Sequence, residues 1–131
     1  MAGVGNTTEN SLVNHLLRNT AFTQPAALYL ALYTAATDYD VPTVTEATGG
    51  SYARKSMTFA AASGGAAASS NAQVWTCGTD VAAGSYVGWG VYDAITSGSY
   101  LFGAVITSGT KTLASGDTLT FASGAVNVSL D

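Results

Sequence analysis

Residues 86–94, YVGWGVYDA, and residues 100–107, YLFGAVIT, decide the predicted fold. Both segments are rich in β-branched and aromatic residues, and the polar residues 96–99 between them predict a turn. Each segment is apolar on both faces, which is typical of strands covered on both sides. We therefore predict a central β-hairpin. Its glycines, Gly88, Gly90 and Gly103, are interpreted as places where backbone or a bulky ring packs closely against it.

The chain carries unusually little charge for its length. Of its 131 residues, 9% are charged and 47% are hydrophobic, whereas roughly 25% are charged in ordinary soluble domains. The length fits one β-rich domain, residues 1–131, with a core of its own. A surface of small uncharged residues predicts that neighbouring subunits cover much of it, and a weakly charged monomer is the alternative.

Charge and cysteine content exclude several functions. A net charge of −4 with four basic residues cannot neutralise a nucleic-acid backbone. Cys77 is alone, which excludes an internal disulfide and a multi-cysteine zinc site. We interpret it as a packing residue, with a disulfide to another subunit as the alternative. No apolar run has the length of a membrane helix and residues 1–5 do not resemble a signal peptide, so we expect a soluble chain without a membrane partner.

No grouping of residues in the sequence suggests an enzyme. There is one histidine, His15, one cysteine and no phosphate-binding glycine loop before a helix. Asp38 and Asp40 are the only closely spaced acids, and two carboxylates are too few for a typical calcium site. We therefore predict no catalytic residue, no cofactor and no metal. Residues 35–50 are predicted to form a solvated acidic loop.

The N-terminal residues 6–19 predict the only helix. Asn6 is suited to cap it and Glu9 to complete a capping box. Four apolar side chains recur at helical spacing: Leu12, Val13, Leu16 and Leu17. Their shared face is predicted to lie on a sheet or in a subunit interface, which makes Leu12 and Leu16 candidate interaction residues. His15 falls on the polar face, and we interpret it as a surface residue.

Residues 27–34 alternate between leucines and tyrosines. This spacing predicts a strand with the leucines on one face and the tyrosines on the other, although the alanines and leucines also permit a helix. Residues 49–59 predict a further strand, entered through a glycine turn. On that strand Tyr52 and Arg54 share a face suited to a partner's carboxylate, and an internal pair with one of the loop acids is an equal alternative.

Most of the remaining chain alternates between short strands and turns. Residues 60–72 consist almost entirely of Ala, Ser and Gly and are predicted to form a long loop. Residues 73–77, 112–113, 118–121 and 125–131 predict strands, the last half-buried. The predicted fold class is mainly β, an antiparallel β-sandwich or jelly-roll-like domain with one N-terminal amphipathic helix.

The order of these segments resembles small structural proteins of tailed bacteriophages, described as tail fibre or minor tail proteins. The resemblance rests on the leucine-rich helix, the motifs GGSYAR (49–54) and GWGVYDA (88–94), and the C-terminal SGDTLTF (115–121). It implies a virion component without enzymatic activity, present in many copies at the tail, neck, collar or fibre base. Such a protein has itself and other virion proteins as partners. Cys77, beside Trp75, departs from the pattern.

Two other functions stay open at this point. One is a carbohydrate- or receptor-binding module at the phage tail, which takes a host-surface glycan on exposed aromatic rings. The rings considered are Trp75, Trp89, Tyr92 and Tyr39. The other is a capsid decoration protein. The candidate interaction residues are Tyr52, Arg54, Leu12, Leu16 and Cys77.

Overall fold

A computed structural model describes residues 3–130 of the chain. Within that range the protein has one helix and twelve short strands. They are β1 (Gly3–Val4), α1 (Asn6–Arg18), β2 (Leu28–Asp38), β3 (Thr43–Glu46), β4 (Lys55–Met57), β5 (Ala66–Ala68), β6 (Gln73–Thr76), β7 (Gly84–Tyr86), β8 (Gly88–Tyr92), β9 (Tyr100–Val105), β10 (Lys111–Leu113), β11 (Thr118–Phe121) and β12 (Asn127–Ser129). The prediction of a mainly β protein with one N-terminal helix is confirmed.

The predicted hairpin lies at the centre of the main sheet. That sheet has the strand order β1-β9-β8-β2-β3, with β4 also paired to β2, and every pairing in it is antiparallel. β8 and β9 form the hairpin in a register that places Trp89 opposite Ala104 and Gly90 opposite Gly103. All five residues of β8 are buried, because β2 and β9 flank it and both faces of the sheet are covered.

The two faces of the main sheet contact two different cores. On one face Leu30 and Leu32 of β2 join Trp75, Trp89 and other apolar side chains in the larger cluster. Three two-stranded antiparallel sheets, β7 with β10, β6 with β11 and β5 with β12, supply many of those side chains. On the other face, Ala31 and Tyr33 belong to a smaller cluster rich in tyrosine. The predicted alternation in residues 27–34 is confirmed, and the segment is a strand.

The helix begins without the predicted capping box. Gly5 occupies the N-cap and no side chain caps the helix there, so the prediction for Asn6 and Glu9 is wrong. The Gly5 N–H donates to Leu101 O and the Asn6 N–H to Asp40 O, which ties the helix start to the body instead. Asn19, in the left-handed region with φ 51°, ends the helix.

The acidic segment 35–50 is a hairpin rather than the predicted loop. β2 continues to Asp38, and β3 pairs with it through two bulges. The Asp38 carboxylate accepts hydrogen bonds from the N–H groups of Asp40 and Val41, at 2.8 and 3.1 Å, and thereby stabilises the turn. Threonine and valine provide the strand propensity that the acids obscured in the sequence.

Two further segments differ from their predictions. Regular strand structure in residues 49–59 is limited to β4, and the predicted loop 60–72 contains β5, which pairs with β12. Alanine side chains are enough to form β5, because its pairing with β12 is made by backbone hydrogen bonds. Beside β5, the buried Ser69 Oγ accepts hydrogen bonds from the N–H groups of Gly124 and Val126. The last predicted strand is shorter than expected. Val126 is buried and Leu130 is exposed, while Asp131 lies outside the described residues.

Candidate interaction surfaces

Arg54 is buried and its donors are directed into the protein. Its Nε and Nη2 each donate to the Glu46 carboxylate at 2.8 Å, in a two-pronged pair. Its Nη1 donates to the carbonyl oxygens of Ala94, at 3.0 Å, and Ser97, at 2.7 Å. The guanidinium carbon lies 3.6 Å from the centre of the Tyr92 ring. Arg54 therefore fastens β3 to the turn between β8 and β9.

Tyr52 contacts the same carboxylate. Its hydroxyl donates to Glu46 Oε1 at 2.8 Å and accepts from the Leu32 N–H at 3.1 Å. The hydrogen bonds with Glu46 raise the pKa of Arg54, and burial raises the pKa of Tyr52. Of the two alternatives for the Tyr52 and Arg54 face, the structure contains the internal pair with a loop acid. The polar groups of Tyr52 and Arg54 are therefore hydrogen-bonded within the chain.

Tyrosine rings pack against the glycines of the central hairpin. A Cβ at Gly88 would collide with the hydroxyl of Tyr39, and a Cβ at Gly90 with the hydroxyl of Tyr33. The Tyr33 and Tyr92 hydroxyls are 2.8 Å apart in a hydrogen bond. The interpretation of these glycines as places of close ring packing is confirmed. The cluster stabilises the second face of the sheet.

This tyrosine cluster predicts loss of stability at alkaline pH. Burial raises the pKa of Tyr33, Tyr92 and Tyr100, so the folded protein keeps protons that the unfolded chain loses. Tyrosine in the unfolded chain is half ionised near pH 10. Stability is therefore fully present below that pH and falls as the pH rises above it. Tyrosinate absorbance is expected to appear together with cooperative loss of the circular dichroism signal; gradual titration of a protein that stays folded would contradict this.

The apolar face of α1 points away from the body. Leu16 and Leu17 are each 79% exposed and Val13 is 51% exposed, while Leu12 is half-buried at the margin. The polar face turns inward instead, and Thr8 Oγ1 donates to Tyr100 O of β9 at 3.3 Å. The helix therefore does not lie on the sheet through its apolar stripe. The sequence located that stripe correctly but carried no signal for which side the body would occupy.

His15, Cys77 and Lys55 have ordinary structural roles. His15 is exposed, in agreement with the predicted surface role, and its Nδ1 lies 3.1 Å from the Thr20 carbonyl oxygen and 3.3 Å from the Phe22 nitrogen. Cys77 is buried in the larger core, as expected of a packing residue, and presents no accessible thiol to another subunit. Lys55 pairs with Asp80 at 3.3 Å, both side chains partly exposed.

Three of the four rings considered for glycan stacking are buried, and the fourth is partly exposed. Trp75, Trp89 and Tyr92 are buried, and Tyr39 is partly buried against Gly88. Within residues 3–130, no three His, Cys, Asp or Glu side chains lie close enough together to hold a metal ion. No helix in the described part of the chain has the length and apolarity needed to span a bilayer.

A rigid β body that holds an apolar helix face towards solvent is typical of proteins that form part of a larger assembly. The family model described as Podophage GP4 fiber I protein gp80 matches residues 3–129, and the chain belongs to that family. It is a phage fibre-type protein and a component of the virion, as the resemblance in the sequence implied. A comparison with curated proteins finds no match.

Proposed function

We propose that this fibre-family protein is a non-enzymatic structural subunit that assembles in several copies and contacts other virion proteins at the phage tail. The observation that carries the proposal is the exposed apolar face of α1, formed by Leu12, Val13, Leu16 and Leu17. Leucines at 79% exposure leave apolar surface in water, and burial of one such side chain stabilises an interface by about 1.5–3 kcal/mol.

The occupant that we propose for this face is α1 of a second copy, in antiparallel orientation. Glu9 lies at the N-terminal edge of this face, three, four and seven residues before Leu12, Val13 and Leu16, and the rest of the face is uncharged. Glu9 lies in the first turn of the helix and Arg18 in the last. Arg18 lies on the opposite side of the helix, so Glu9 decides the orientation. A parallel pair places the two Glu9 carboxylates together, whereas an antiparallel pair keeps them at opposite ends. The chain's low charge also limits repulsion between copies.

Mass in solution tests this assembly. The chain is expected to elute at a multiple of 13.2 kDa at micromolar concentration, by size exclusion with light scattering. Replacing both leucines, Leu16→Gln with Leu17→Gln, is expected to weaken association by at least about 100-fold, because two buried leucines are lost. Both positions face solvent in the single chain, so circular dichroism should stay unchanged.

A matched control separates this face from exposed apolar surface in general. Ile95 is 50% exposed and far from α1 in sequence, and Ile95→Gln is expected to leave the mass unchanged. A wild-type chain that stays at 13.2 kDa would contradict the proposal. So would an equal response to both variants. Cross-linking between cysteines introduced at Glu9 and Leu16 of different copies, with Cys77 replaced by serine, then distinguishes antiparallel from parallel pairing, because only the antiparallel pair brings these two positions together.

A further inference from the structure

An open groove lies beside the end of β9, on the face of the main sheet that contacts the larger core. It consists of two adjoining hollows of about 420 and 520 Å³, which share Trp89, Thr107 and Ala125. Four apolar side chains of the larger core line it: Trp89, Ile106, Leu119 and Phe121. Val105 borders the groove and is 60% exposed. The groove therefore offers apolar surface that a projecting side chain of a partner can cover.

One positive charge lies at this groove. Among the described residues that line it, Lys111 alone is charged, and it is partly exposed. No ion pair joins its ammonium group to an acid within residues 3–130, whereas Arg54 and Lys55 are each paired with one. The groove therefore suits a partner that brings a carboxylate beside an exposed apolar side chain.

The turn between β2 and β3 carries that combination. Val41 is 58% exposed, and the adjacent Asp40 is exposed as well. The Asp40 carboxylate forms no ion pair with a cation in the described part of the chain. We call these two residues the tip. Its charge is opposite to that of the groove, and its apolar side chain is suited to the apolar lining.

The tip is held in one conformation and directed away from the groove of its own chain. The Asp38 carboxylate accepts from the N–H groups of both tip residues, and the Asn6 N–H donates to Asp40 O at 2.9 Å. A turn ordered in advance loses little conformational entropy on binding. Tyr39, which precedes the tip, packs in the tyrosine cluster on the opposite face of the main sheet. The groove that the tip can reach is therefore that of a second copy.

We propose that the tip of one copy binds the groove of the next, with Val41 against the apolar lining and the Asp40 carboxylate beside the Lys111 ammonium group. Tip and groove are different surfaces, so the contact is head-to-tail and extends association beyond the pair formed through α1. This inference rests on the proposed assembly in several copies, but it does not use the apolar face of α1.

The turn between β8 and β9 has a similar composition but suits the groove less well. Ile95 is 50% exposed and follows Asp93 by two residues. Asp93, however, is partly buried, and its carboxylate already accepts a hydrogen bond from the Ser99 N–H at 2.6 Å. Ile95 is therefore a matched control for Val41.

Sedimentation velocity of the Leu16→Gln, Leu17→Gln chain tests the contact in the absence of the α1 pair. Its mean mass is expected to rise above 13.2 kDa as the concentration is raised from micromolar to millimolar. Adding Val41→Gln is expected to weaken this association by about 10-fold or more, because an apolar side chain no longer enters the groove. Adding Ile95→Gln is expected to leave it unchanged.

Two outcomes of this experiment overturn the head-to-tail contact. One is a Leu16→Gln, Leu17→Gln chain that stays at 13.2 kDa at every concentration, and the other is an equal response to Val41→Gln and Ile95→Gln. Neither outcome affects the α1 pair, which is measured with the wild-type leucines in place. The two proposals therefore fail separately.

Exchange of charge identifies the two surfaces. In the same leucine-to-glutamine chain, Asp40→Lys and Lys111→Glu each place like charges at the contact, and each is expected to weaken association by about 10-fold. An equimolar mixture of the two variants is expected to associate as their parent chain does, because every tip can again meet a groove of opposite charge. Absence of recovery in the mixture contradicts the pairing of Asp40 with Lys111.

Arg18→Glu controls for general repulsion between copies. It changes the net charge as Lys111→Glu does, at an exposed position that does not line the groove, and is expected to leave association unchanged. A loss as large as that of Lys111→Glu would overturn the proposal. The three charge variants change exposed or partly exposed side chains, so circular dichroism should match that of the parent chain.

Discussion

Replacing Arg54 with methionine is expected to lower the free energy of unfolding by about 3 kcal/mol, because a buried guanidinium is lost together with its four hydrogen bonds. The change removes both hydrogen bonds to Glu46 and frees the carbonyl oxygens of Ala94 and Ser97. It also removes the guanidinium from the Tyr92 ring. Urea denaturation of wild type and variant measures the difference.

The neighbouring residue provides a matched control. Lys55 pairs with Asp80 at 3.3 Å, and both side chains are more than one quarter exposed. Lys55→Met is therefore expected to cost at most about 1 kcal/mol, as exposed pairs do. A loss for Arg54→Met no larger than that for Lys55→Met would show that the buried pair does not fasten the hairpin turn. In the Arg54→Met, Glu46→Gln double variant, part of the stability should return, because the unpaired carboxylate is then absent.

Gly90→Ala is expected to have an effect of similar size, with a loss of about 3 kcal/mol or failure to fold. In an ordinary strand, replacing glycine with alanine stabilises the folded protein by about 0.5–1 kcal/mol. At Gly90 the close packing of the Tyr33 ring reverses the sign of this effect. The new Cβ would collide with the Tyr33 hydroxyl and lie 2.7 Å from its ring carbon Cζ. Tyr33 cannot move away, because it is fully buried and its hydroxyl is hydrogen-bonded to the hydroxyl of Tyr92.

The control for this prediction is Gly109→Ala. No atom lies within 4 Å of a Cβ at Gly109, although its φ of +85° adds backbone strain of about 1–2 kcal/mol for a non-glycine residue. A Gly90→Ala protein as stable as Gly109→Ala would disprove the role of ring packing. Adding Tyr33→Phe to Gly90→Ala should recover part of the loss, since the hydroxyl that the Cβ meets is then gone.

The elements that were predicted correctly are those whose structure is set by residues close together in the sequence. The central hairpin follows from two apolar segments around a polar turn, and the two cores follow from alternation along β2. Even the crowding at Gly88 and Gly90 could be inferred, because glycines within a buried strand leave room for something to approach. The identity of the approaching rings was not in that pattern, since Tyr33 and Tyr39 come from another part of the chain.

The sequence predictions that were wrong have physical causes of two kinds. The capping box was not formed because backbone bonds from Gly5 and Asn6 to distant carbonyl oxygens replaced it. β5 was missed because pairing with the distant β12 overrode weak local propensity, and the hairpin of β2 and β3 was missed because its acids obscured the strand propensity of threonine and valine. For Arg54 the sequence left two partners open, and the β2–β3 hairpin selected Glu46 by bringing it within hydrogen-bond distance.

The sequence alone determined that the protein is mainly β, that a central hairpin lies within residues 86–107, and that α1 has one apolar face; Tyr86 itself belongs to β7 and pairs with β10. These follow from periodicity, which is local. Only the tertiary structure decided that Arg54 and Tyr52 are used internally and that the apolar face of α1 points to solvent while its polar face turns inward. Which surfaces meet depends on backbone bonds and close contacts between residues distant in the chain, and local spacing does not encode them.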